Sequence, residues 1–514
     1  MEPLSVIILI LDGFFLFLIL SGRVLEEKSD PYDWREIYLT SSVLLALVMT
    51  TGFIGLSFFS AVSQVGVISL WTLVLIALIV WGCISKRFKR GWSYPSDTIQ
   101  RYSLPKSESV ILAFALVIIV VLFIIAVVSP PNTNDSLRYH MARVMHWQQN
   151  QSLAHYNTPI EAQLWMPPWS EMAILNLVIL SGSDRLANLV QWMAMLSSLI
   201  GVSWISKLLG TGIKGQIFSL IFSLTLPMGI LQSTSTQNDY TTAFWAVCLA
   251  AFLIKNLRDN SSLWLIGLST GLGVLTKGSF YPYAIAFIAG WGIIRLVNKG
   301  WRRVAHLAAI LIICVVAING YWWWLNSRTF GFFLGPSEVV REHANESYTP
   351  GAIISNLMRN STIHLGTPYG IINGNVQLVV EKIHGLIGED ISNPETTYDD
   401  YRVKRYLTED RAGNPWHFLT PPIFGLFWLM EKIRKKTIPK TPAELPQKQE
   451  SRTIYWYGGA LFGAFMLFSI LYKWQSTGSR LQLAWFVLLA PLVGVLWDRV
   501  FKSNSRYLIP ALFL

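Results

Sequence analysis

The residues SPPNTNDSLRYHMARVMHWQQNQSLAHYNTPIEAQLWMPPWSE, from Ser129 to Glu171, form a polar island between apolar segments, and this island decides how the rest of the chain is interpreted. The island carries aspartate, arginine and histidine side chains together with many aromatic rings. Such groups do not help a chain to cross a bilayer, and ionisable residues in or beside a membrane mark a functional site by default. The island therefore predicts a catalytic loop within a membrane protein.

The composition agrees with a membrane protein. Of the 514 residues, 52% are hydrophobic and 14% are charged, whereas soluble domains carry about 25% charged residues. Apolar runs long enough to cross a hydrocarbon core recur along the chain, so we predict an all-α polytopic membrane protein with about 13 transmembrane helices. The predicted spans are Leu4–Leu20, Ile37–Ser60, Val65–Ser85, Ser109–Ser129, Leu186–Leu209, Gln216–Gln232, Tyr240–Leu257, Leu263–Thr276, Phe280–Val297, Val304–Leu325, Trp416–Met430, Thr453–Tyr472 and Leu481–Val500, and Tyr507–Leu514 begins a further apolar run.

The net charge of +11 would suit a nucleic-acid partner, but the basic residues concentrate in short loops. Two of these loops hold Lys86, Arg87, Lys89, Arg90, Arg101 and Lys106, and Lys432, Arg434, Lys435, Lys436 and Lys440. This is the positive-inside pattern of membrane proteins, so we exclude nucleic acid and place these loops in the cytoplasm. The polar loops 130–185 and 326–415 then lie on the extracytoplasmic face of what we expect to be the cell (inner) membrane.

Two short helices are predicted within the first of these loops. Asp135, Tyr139 and Arg143 recur about one helical turn apart, which indicates an amphipathic helix lying along the membrane interface. After the turn signal Pro167-Pro168 a second apolar helix begins at Glu171, too short to cross. The second loop holds turn signals, histidines and an acidic pair, Asp399-Asp400, and is predicted to be ordered but irregular.

Two aspartates open predicted helices on the extracytoplasmic face, Asp135 and Asp239. The simpler interpretation is that each caps a helix. The alternative is that Asp135 is a general base that takes a proton from an acceptor hydroxyl or amine. The two acids could also share a substrate or a divalent cation, which prefers oxygen ligands.

Two cations are candidates for binding a phosphate on the same face. Lys277 interrupts an apolar run, where it must either reach water by snorkelling or bind an anion. Arg480 follows a polar turn, and a guanidinium can bind two phosphate oxygens at once.

The histidines of the island do not have a metal-binding spacing such as HExxH, so we expect them to contact substrate or loop instead. We assign substrate contacts to Arg138, Tyr139, His140 and His155.

Four features, in this order, resemble a known family: Asp135 followed by RYHMARVMHW, the pair Pro167-Pro168, Asp239 opening a later span, and GLSTGLGVLTKG from Gly267 to Gly278. Together they are similar to the GT-C glycosyltransferases, in the branch of the protein O-mannosyltransferases and the lipid A aminoarabinose transferases. The resemblance covers about residues 109–514. Residues 1–108 then form a three-helix membrane extension to a GT-C-like core.

The resemblance implies interfacial helices packed on a helical bundle, and a donor sugar carried on a polyprenyl phosphate. It gives Asp135 the role of catalytic base, Asp239 that of a second outer acid, and Lys277 that of a phosphate-facing lysine. Where the family often has Asp-Glu, Ser136 follows Asp135 here, so a paired carboxylate is missing from that motif.

The sequence thus favours an inverting glycosyltransferase that moves a sugar from a polyprenyl-phosphate donor to a lipid, glycan or protein acceptor. A phosphate leaves well without a metal, so no cofactor is required, although Asp135 and Asp239 could hold a divalent cation. The alternatives are a lipid-linked oligosaccharide ligase or polymerase, and a transporter or flippase, which would gather ionisable groups near the middle of the membrane in internally repeated broken helices.

Overall fold

The chain is a helical bundle. The computed structural model describes residues 2–26, 33–92, 106–404, 407–435 and 448–500. Its helices are α1 Glu2–Glu26, α2 Trp34–Phe58, α3 Gln64–Ile84, α4 Arg87–Gly91, α5 Lys106–Val128, α6 Met141–Asn150, α7 Ala162–Trp165, α8 Trp169–Ser181, α9 Leu189–Leu208, α10 Ile213–Leu224, α11 Pro227–Gln232, α12 Asp239–Asp259, α13 Trp264–Val274, α14 Tyr281–Val297, α15 Trp301–Phe330, α16 Ser337–His343, α17 Pro350–Thr362, α18 Gly370–Ile387, α19 Pro415–Lys435, α20 Lys448–Leu471, α21 Gly478–Leu481 and α22 Leu483–Val500.

The predicted all-α polytopic membrane fold is confirmed. Twelve of the 13 predicted spans fall mainly on one helix each and the other falls on two, and ten helices among the described residues are long and apolar enough to cross a membrane. Tyr507–Leu514, and the loop residues Arg101, Lys436 and Lys440, lie outside the described residues.

Three of the predicted spans do not correspond to one of these ten long apolar helices. The run Gln216–Gln232 is broken into α10 and α11, because Leu226 precedes Pro227 and such a residue leaves the helical conformation. The run Leu263–Thr276 is the 11-residue helix α13. The third is α19, which contains Pro421 and Pro422.

Helices α2 and α3 share one hydrophobic core with the remainder of the bundle, whereas the buried Leu16 and Ile19 of α1 form a smaller cluster with Leu78 of α3. Leu39 of α2 and Trp71 of α3 belong to the same buried cluster as Trp245 of α12. The Trp71 indole Nε1 donates a hydrogen bond to the Asn176 Oδ1 on α8, at 2.9 Å. The division of the chain at residue 108 stays a prediction from the sequence.

The short helix α8 is largely buried. It packs against α1, α3 and α6, and its buried side chains run from Trp169 to Leu180. At 13 residues it is too short to cross a bilayer. It therefore anchors the first polar loop, of which it is part, to the helical bundle.

The predicted loops separate into two ends of the bundle. Asp33 pairs with Lys207 and Glu36 with Lys255, so the loops that precede α2 and follow α9 and α12 meet at one end. We call this the basic-loop end. The opposite end, where α12 begins at Asp239, holds the polar island and is called the island end.

The long segment between α15 and α19 contains regular structure. It comprises α16, α17, α18 and a hairpin in which β1, Leu407–Thr408, pairs antiparallel with β2, Arg411–Ala412. A small hydrophobic core stabilises it, in which Ile363, Val380, Tyr401 and Val403 pack with Trp474, a residue that follows α20. The hairpin contacts α11 and α21, which places its turn at the island end beside Arg480.

Candidate functional site

Asp135 does not cap the helix on which it lies. The helical conformation begins at Asn134, and the Thr133 hydroxyl accepts the hydrogen bond from the Ser136 amide at 3.1 Å, as a helix cap does. Residues Ser136–His140 form a π-helical turn, a rare geometry that is frequent at functional sites. The Asp135 carboxylate is therefore available for another partner, and its Oδ2 accepts a hydrogen bond from Arg480 Nη1 at 2.8 Å.

Asp239 is the first residue of α12 and makes no side-chain cap bond either. The free backbone amide of Tyr240 is satisfied by the Gln191 side chain at 2.8 Å. The Asp239 carboxylate is almost fully buried, with 2% of its side chain exposed. Its Oδ1 accepts from Lys277 Nζ at 2.6 Å, and its Oδ2 lies 3.6 Å from Arg480 Nε.

The glycine-rich segment before Lys277 has a packing role. A Cβ on Gly267 or Gly271 would collide with Cys314 of α15, so glycine allows α13 and α15 to approach closely. The helix ends at Val274, and Lys277 has an extended backbone that directs its side chain towards Asp239. Lys277 thus binds a carboxylate. Burial lowers the pKa of its ammonium; Asp239 opposes this effect and the Arg480 charge adds to it.

Arg480 is the centre of the arrangement. It lies on α21, in the short connection between α20 and α22. Its Nη1 is within hydrogen-bond distance of three acceptors, Asp135 Oδ2 and Asp410 Oδ1, both at 2.8 Å, and the Gln237 Oε1. Burial alone would lower the pKa of the guanidinium, but the surrounding carboxylates raise it, so Arg480 stays cationic. We call Asp135, Gln237, Asp239, Lys277, Asp410 and Arg480 the Arg480 cluster.

The pKa of Asp135 reflects two opposing influences. Burial raises it, but the charge and hydrogen bond of Arg480, with smaller effects from His140 and Lys277, hold it below the usual range of an aspartate. Asp135 is consequently ionised at neutral pH. It is also partly open to solvent, with 24% of its side chain exposed.

Two members of the cluster were not among the residues selected from the sequence, Asp410 and Gln237. Asp410 lies in the turn of the β1–β2 hairpin, and Gln237 Nε2 donates a hydrogen bond to its Oδ1. The acidic pair Asp399-Asp400 has a different partner. Asp399 accepts hydrogen bonds from the Ser476 amide and hydroxyl, four residues before Arg480. The sequence gives only a weak indication of Asp410, namely a carboxylate in a short polar stretch before α19.

Tyr139 and His140 follow Asp135 in the same helical stretch, and both side chains are buried. Burial and the neighbouring Asp135 charge raise the pKa of the Tyr139 phenol well above its usual value, so the phenol is neutral. The His140 ring packs on Tyr139 at 4.0 Å between centroids, and its Nδ1 lies 2.8 Å from Glu171 Oε1. Glu171, fully buried, also pairs with Arg143 at 3.2 Å. This pairing, which the sequence did not reveal, fixes the Asp135 helix on α8.

The other two residues assigned to substrate contact lie differently. Arg138 is exposed, and its backbone carbonyl accepts a hydrogen bond from Gln163. His155 contacts α15 instead, with its Nδ1 2.7 Å from the Thr329 hydroxyl and its ring edge-on to Trp322. Burial and the Arg143 charge lower the pKa of His155 to about 4, so it is neutral at pH 7.

The carboxylates at this site suit a guanidinium better than a metal ion. Arg480 lies between Asp135 and Asp239, where a shared divalent cation would have to bind. Within the described ranges of the chain, no group of three or more histidine, cysteine, aspartate or glutamate residues is arranged to hold a metal.

Comparisons with known proteins give little further information. No protein-family model matches the chain, and no curated protein matches it. Among solved structures it is similar to the crystal structure of ArnT from Cupriavidus metallidurans bound to undecaprenyl phosphate, with 17% sequence identity and a TM-score of 0.48. The match covers 76% of this chain and 60% of that one.

Proposed function

We propose that the protein is a glycosyltransferase that moves a sugar from a polyprenyl-phosphate donor to an acceptor at the island end, which is the extracytoplasmic face. The observation that carries the proposal is the Arg480 cluster itself. It places an ionised carboxylate, Asp135, 2.8 Å from a cation that is suited to a phosphate. A carboxylate that can act as base and a cationic site for the leaving phosphate are the two groups that sugar transfer from a phosphate uses.

The reaction then proceeds as an inverting displacement. Asp135 accepts the proton of the acceptor hydroxyl or amine as that atom forms a bond to the anomeric carbon. The bond between the anomeric carbon and the phosphate oxygen of the donor breaks, and its electron pair stays on the lipid phosphate. Arg480 and Lys277 stabilise the second negative charge that builds up on this phosphate.

The shared guanidinium couples donor binding to the strength of the base. In the ligand-free site Arg480 holds the pKa of Asp135 low, which keeps it ionised but makes it a weak base. When the Arg480 N–H groups turn to the donor phosphate, Asp135 loses this stabilisation and burial raises its pKa. The carboxylate becomes a stronger base only when the donor is in place.

The test is substitution of Asp135 by asparagine, which keeps the size of the side chain and removes its basicity. Cells that lack the protein are complemented with wild type, Asp135→Asn or Asp184→Asn, and their envelope lipids and glycans are compared by mass spectrometry. Asp184 is an exposed aspartate on the same end and is the matched control. We expect wild type and the control to restore the missing product, and Asp135→Asn to reduce transfer by about 1,000-fold. Normal transfer by Asp135→Asn at wild-type protein levels would refute the mechanism.

The alternatives predict different products. A transporter would move its substrate across vesicles without forming a covalent product, and the position of the cluster at one end of the bundle favours an enzyme. A ligase or polymerase would use an oligosaccharide on a pyrophosphate. Mass spectrometry of the lipid donor that accumulates in cells lacking the protein distinguishes a monophosphate from a pyrophosphate.

A further inference from the structure

We propose that Asp410 occupies the place of the donor phosphate on Arg480 in the ligand-free protein, and that the donor must displace it. The proposal rests on the proposed function, because it concerns how that donor enters the same site. It assigns the β1–β2 hairpin, Leu407–Ala412, a regulatory role as a plug carrying a carboxylate.

The first observation is the number of acceptors at one nitrogen. Arg480 Nη1 carries two hydrogens, but it has three acceptors within hydrogen-bond distance, from Asp135, Asp410 and Gln237. Since Asp135 and Asp410 each lie 2.8 Å from this nitrogen, their carboxylate oxygens are at most twice that distance apart. Two carboxylates so close repel each other unless a cation stays between them.

The second observation is that each cation of the cluster already binds a carboxylate. Lys277 binds Asp239, and Arg480 binds Asp135 and Asp410. A phosphodiester that arrives with its own negative charge therefore needs one carboxylate to leave. Without that exchange it would enter beside three carboxylates and only two cations, and like charges at close range raise the free energy of the bound state.

The third observation identifies which carboxylate leaves. Asp239 is buried at the start of α12, with 2% of its side chain exposed. Asp135 is on a helix that the buried Arg143–Glu171 ion pair holds in place. Asp410 is in a turn between two strands of two residues each, and 25% of its side chain is exposed. Moving Asp410 thus requires a rearrangement of a short hairpin turn, whereas moving either other aspartate requires a rearrangement of a packed helix.

The exchange also explains why a carboxylate is there in the absence of donor. A buried guanidinium without a counter-ion is costly, and Asp410 supplies a negative charge until the phosphate takes over. The swap of one anion for another keeps the charge around Arg480 nearly constant. Gln237, which donates a hydrogen bond to Asp410, is released at the same step and becomes available to a donor oxygen.

The proposal is tested by direct binding to the purified full-length protein in detergent. The probes are a short-chain polyprenyl monophosphate and the uncharged polyprenol of the same length. We expect Asp410→Asn to bind the monophosphate about 5-fold more tightly than wild type, because the bound conformation no longer competes with an internal ion pair. Asp400→Asn, which removes an exposed acid of the same segment, is the charge-matched control and should bind as wild type does. Equal or weaker binding by Asp410→Asn would overturn the proposal.

A second measurement needs no substitution. Amide hydrogen exchange of residues 407–412 in the wild-type protein should become faster when the polyprenyl monophosphate is added, and should not change with the polyprenol. Slower or unchanged exchange would also overturn the plug. If neither wild type nor Asp410→Asn distinguishes the monophosphate from the polyprenol, the proposed function itself fails. If wild type does distinguish them but Asp410→Asn and the hairpin show no effect, only the plug is wrong.

Discussion

The two ends of the bundle each carry a buried ionic cluster, and the two clusters differ in how completely their polar groups are satisfied. At the basic-loop end, Arg35 donates from Nε and Nη2 to the two oxygens of Asp33, at 2.8 and 2.7 Å. Its Nη1 donates to Ser203 and Gln216, one acceptor for each hydrogen. Lys207 adds a further bond to Asp33 at 2.9 Å. Within the guanidinium of Arg35, each nitrogen therefore has a partner.

The Arg480 cluster is not balanced in this way. Its Nη1 has three acceptors, whereas Nε of the same residue and Oδ2 of Asp239 are buried without a hydrogen-bond partner, 3.6 Å from each other. Unsatisfied buried polar atoms are rare in native proteins and need an explanation. A site that must bind a charged ligand supplies one, because its groups are arranged for a partner that comes and goes.

The comparison teaches that buried charge alone does not mark a functional site. Burial raises the pKa of Asp33, but Arg35 and Lys207 outweigh this and lower it to about 2, so Asp33, like Asp135, has a pKa below the usual range of an aspartate. The Asp33 cluster joins α2 to α9 and α10, and we interpret it as structural. Between these two clusters, the difference is whether donors and acceptors match in number.

Among the changes that compare the two clusters, the largest expected effect comes from exchanging arginine for lysine in each. Arg480→Lys keeps the charge but has one donor group where the guanidinium reached several acceptors. We expect kcat/KM for sugar transfer to fall roughly 100-fold while the thermal midpoint changes little. Arg35→Lys should do the reverse, lowering the thermal midpoint by about 4 °C with transfer retained. Transfer rates and thermal denaturation of the purified variants measure both.

The interpretation of the two clusters would be wrong if both exchanges acted alike. A loss of transfer in Arg35→Lys with normal stability would give the basic-loop end a part in the reaction. A large fall in stability for Arg480→Lys would make its cluster structural.

A smaller effect is expected for Lys277→Met. Lys277 carries one positive charge and is held in the site by its ion pair with Asp239. Loss of this charge should weaken donor binding, so we expect KM for the donor to rise about 10-fold with a lesser effect on kcat. Lys473→Met is the matched control, since Lys473 lies at the same end and also pairs with a carboxylate, Glu346. Steady-state kinetics with varied donor concentration separate the two constants, and equal KM values in both variants would contradict a phosphate role for Lys277.

The smallest effect expected is a displacement of the pH profile. Because Arg480 holds the pKa of Asp135 below its usual range, the acid limb of kcat/KM in the wild type should lie at low pH. In Arg480→Lys the hydrogen bond weakens while burial is unchanged, so the pKa of Asp135 rises and the limb moves to higher pH. The profile of Lys473→Met should coincide with that of the wild type. A limb that moves to lower pH in Arg480→Lys, or stays in place, would argue against Asp135 as the base.

Much of the fold could be predicted from the sequence because membrane spans require only length and hydropathy. The broken span at Gln216–Gln232 was missed, although Pro227 gave the signal, because the apolar residues continue on both sides of the break. The helices α16, α17 and α18 were missed because the segment between Asn326 and Pro415 has no long apolar run. Their stability comes from a small core of distant residues, which no local pattern shows.

The site was partly predictable for a similar reason. The alternation of spans put Asp135, Asp239, Lys277 and Arg480 on one face, and the structure brings these four together. Asp410 has no periodic or motif signal, because a hairpin turn accepts many polar residues and only the fold places this one at Arg480. His155 has the residue type of a ligand contact, yet its partners are on α15.

The Thr133 hydroxyl that caps the Asp135 helix has a consequence for how the site can evolve. It satisfies the Ser136 amide, so the helix does not depend on the carboxylate beside it. A change of Thr133 to a residue without an acceptor would leave that amide without its side-chain partner, at the start of the helix that carries Asp135. Substitutions at a position that need not touch a ligand would then appear as losses of activity. Because Thr133 supplies the cap, the stability of the helix and the chemistry of Asp135 depend on different side chains.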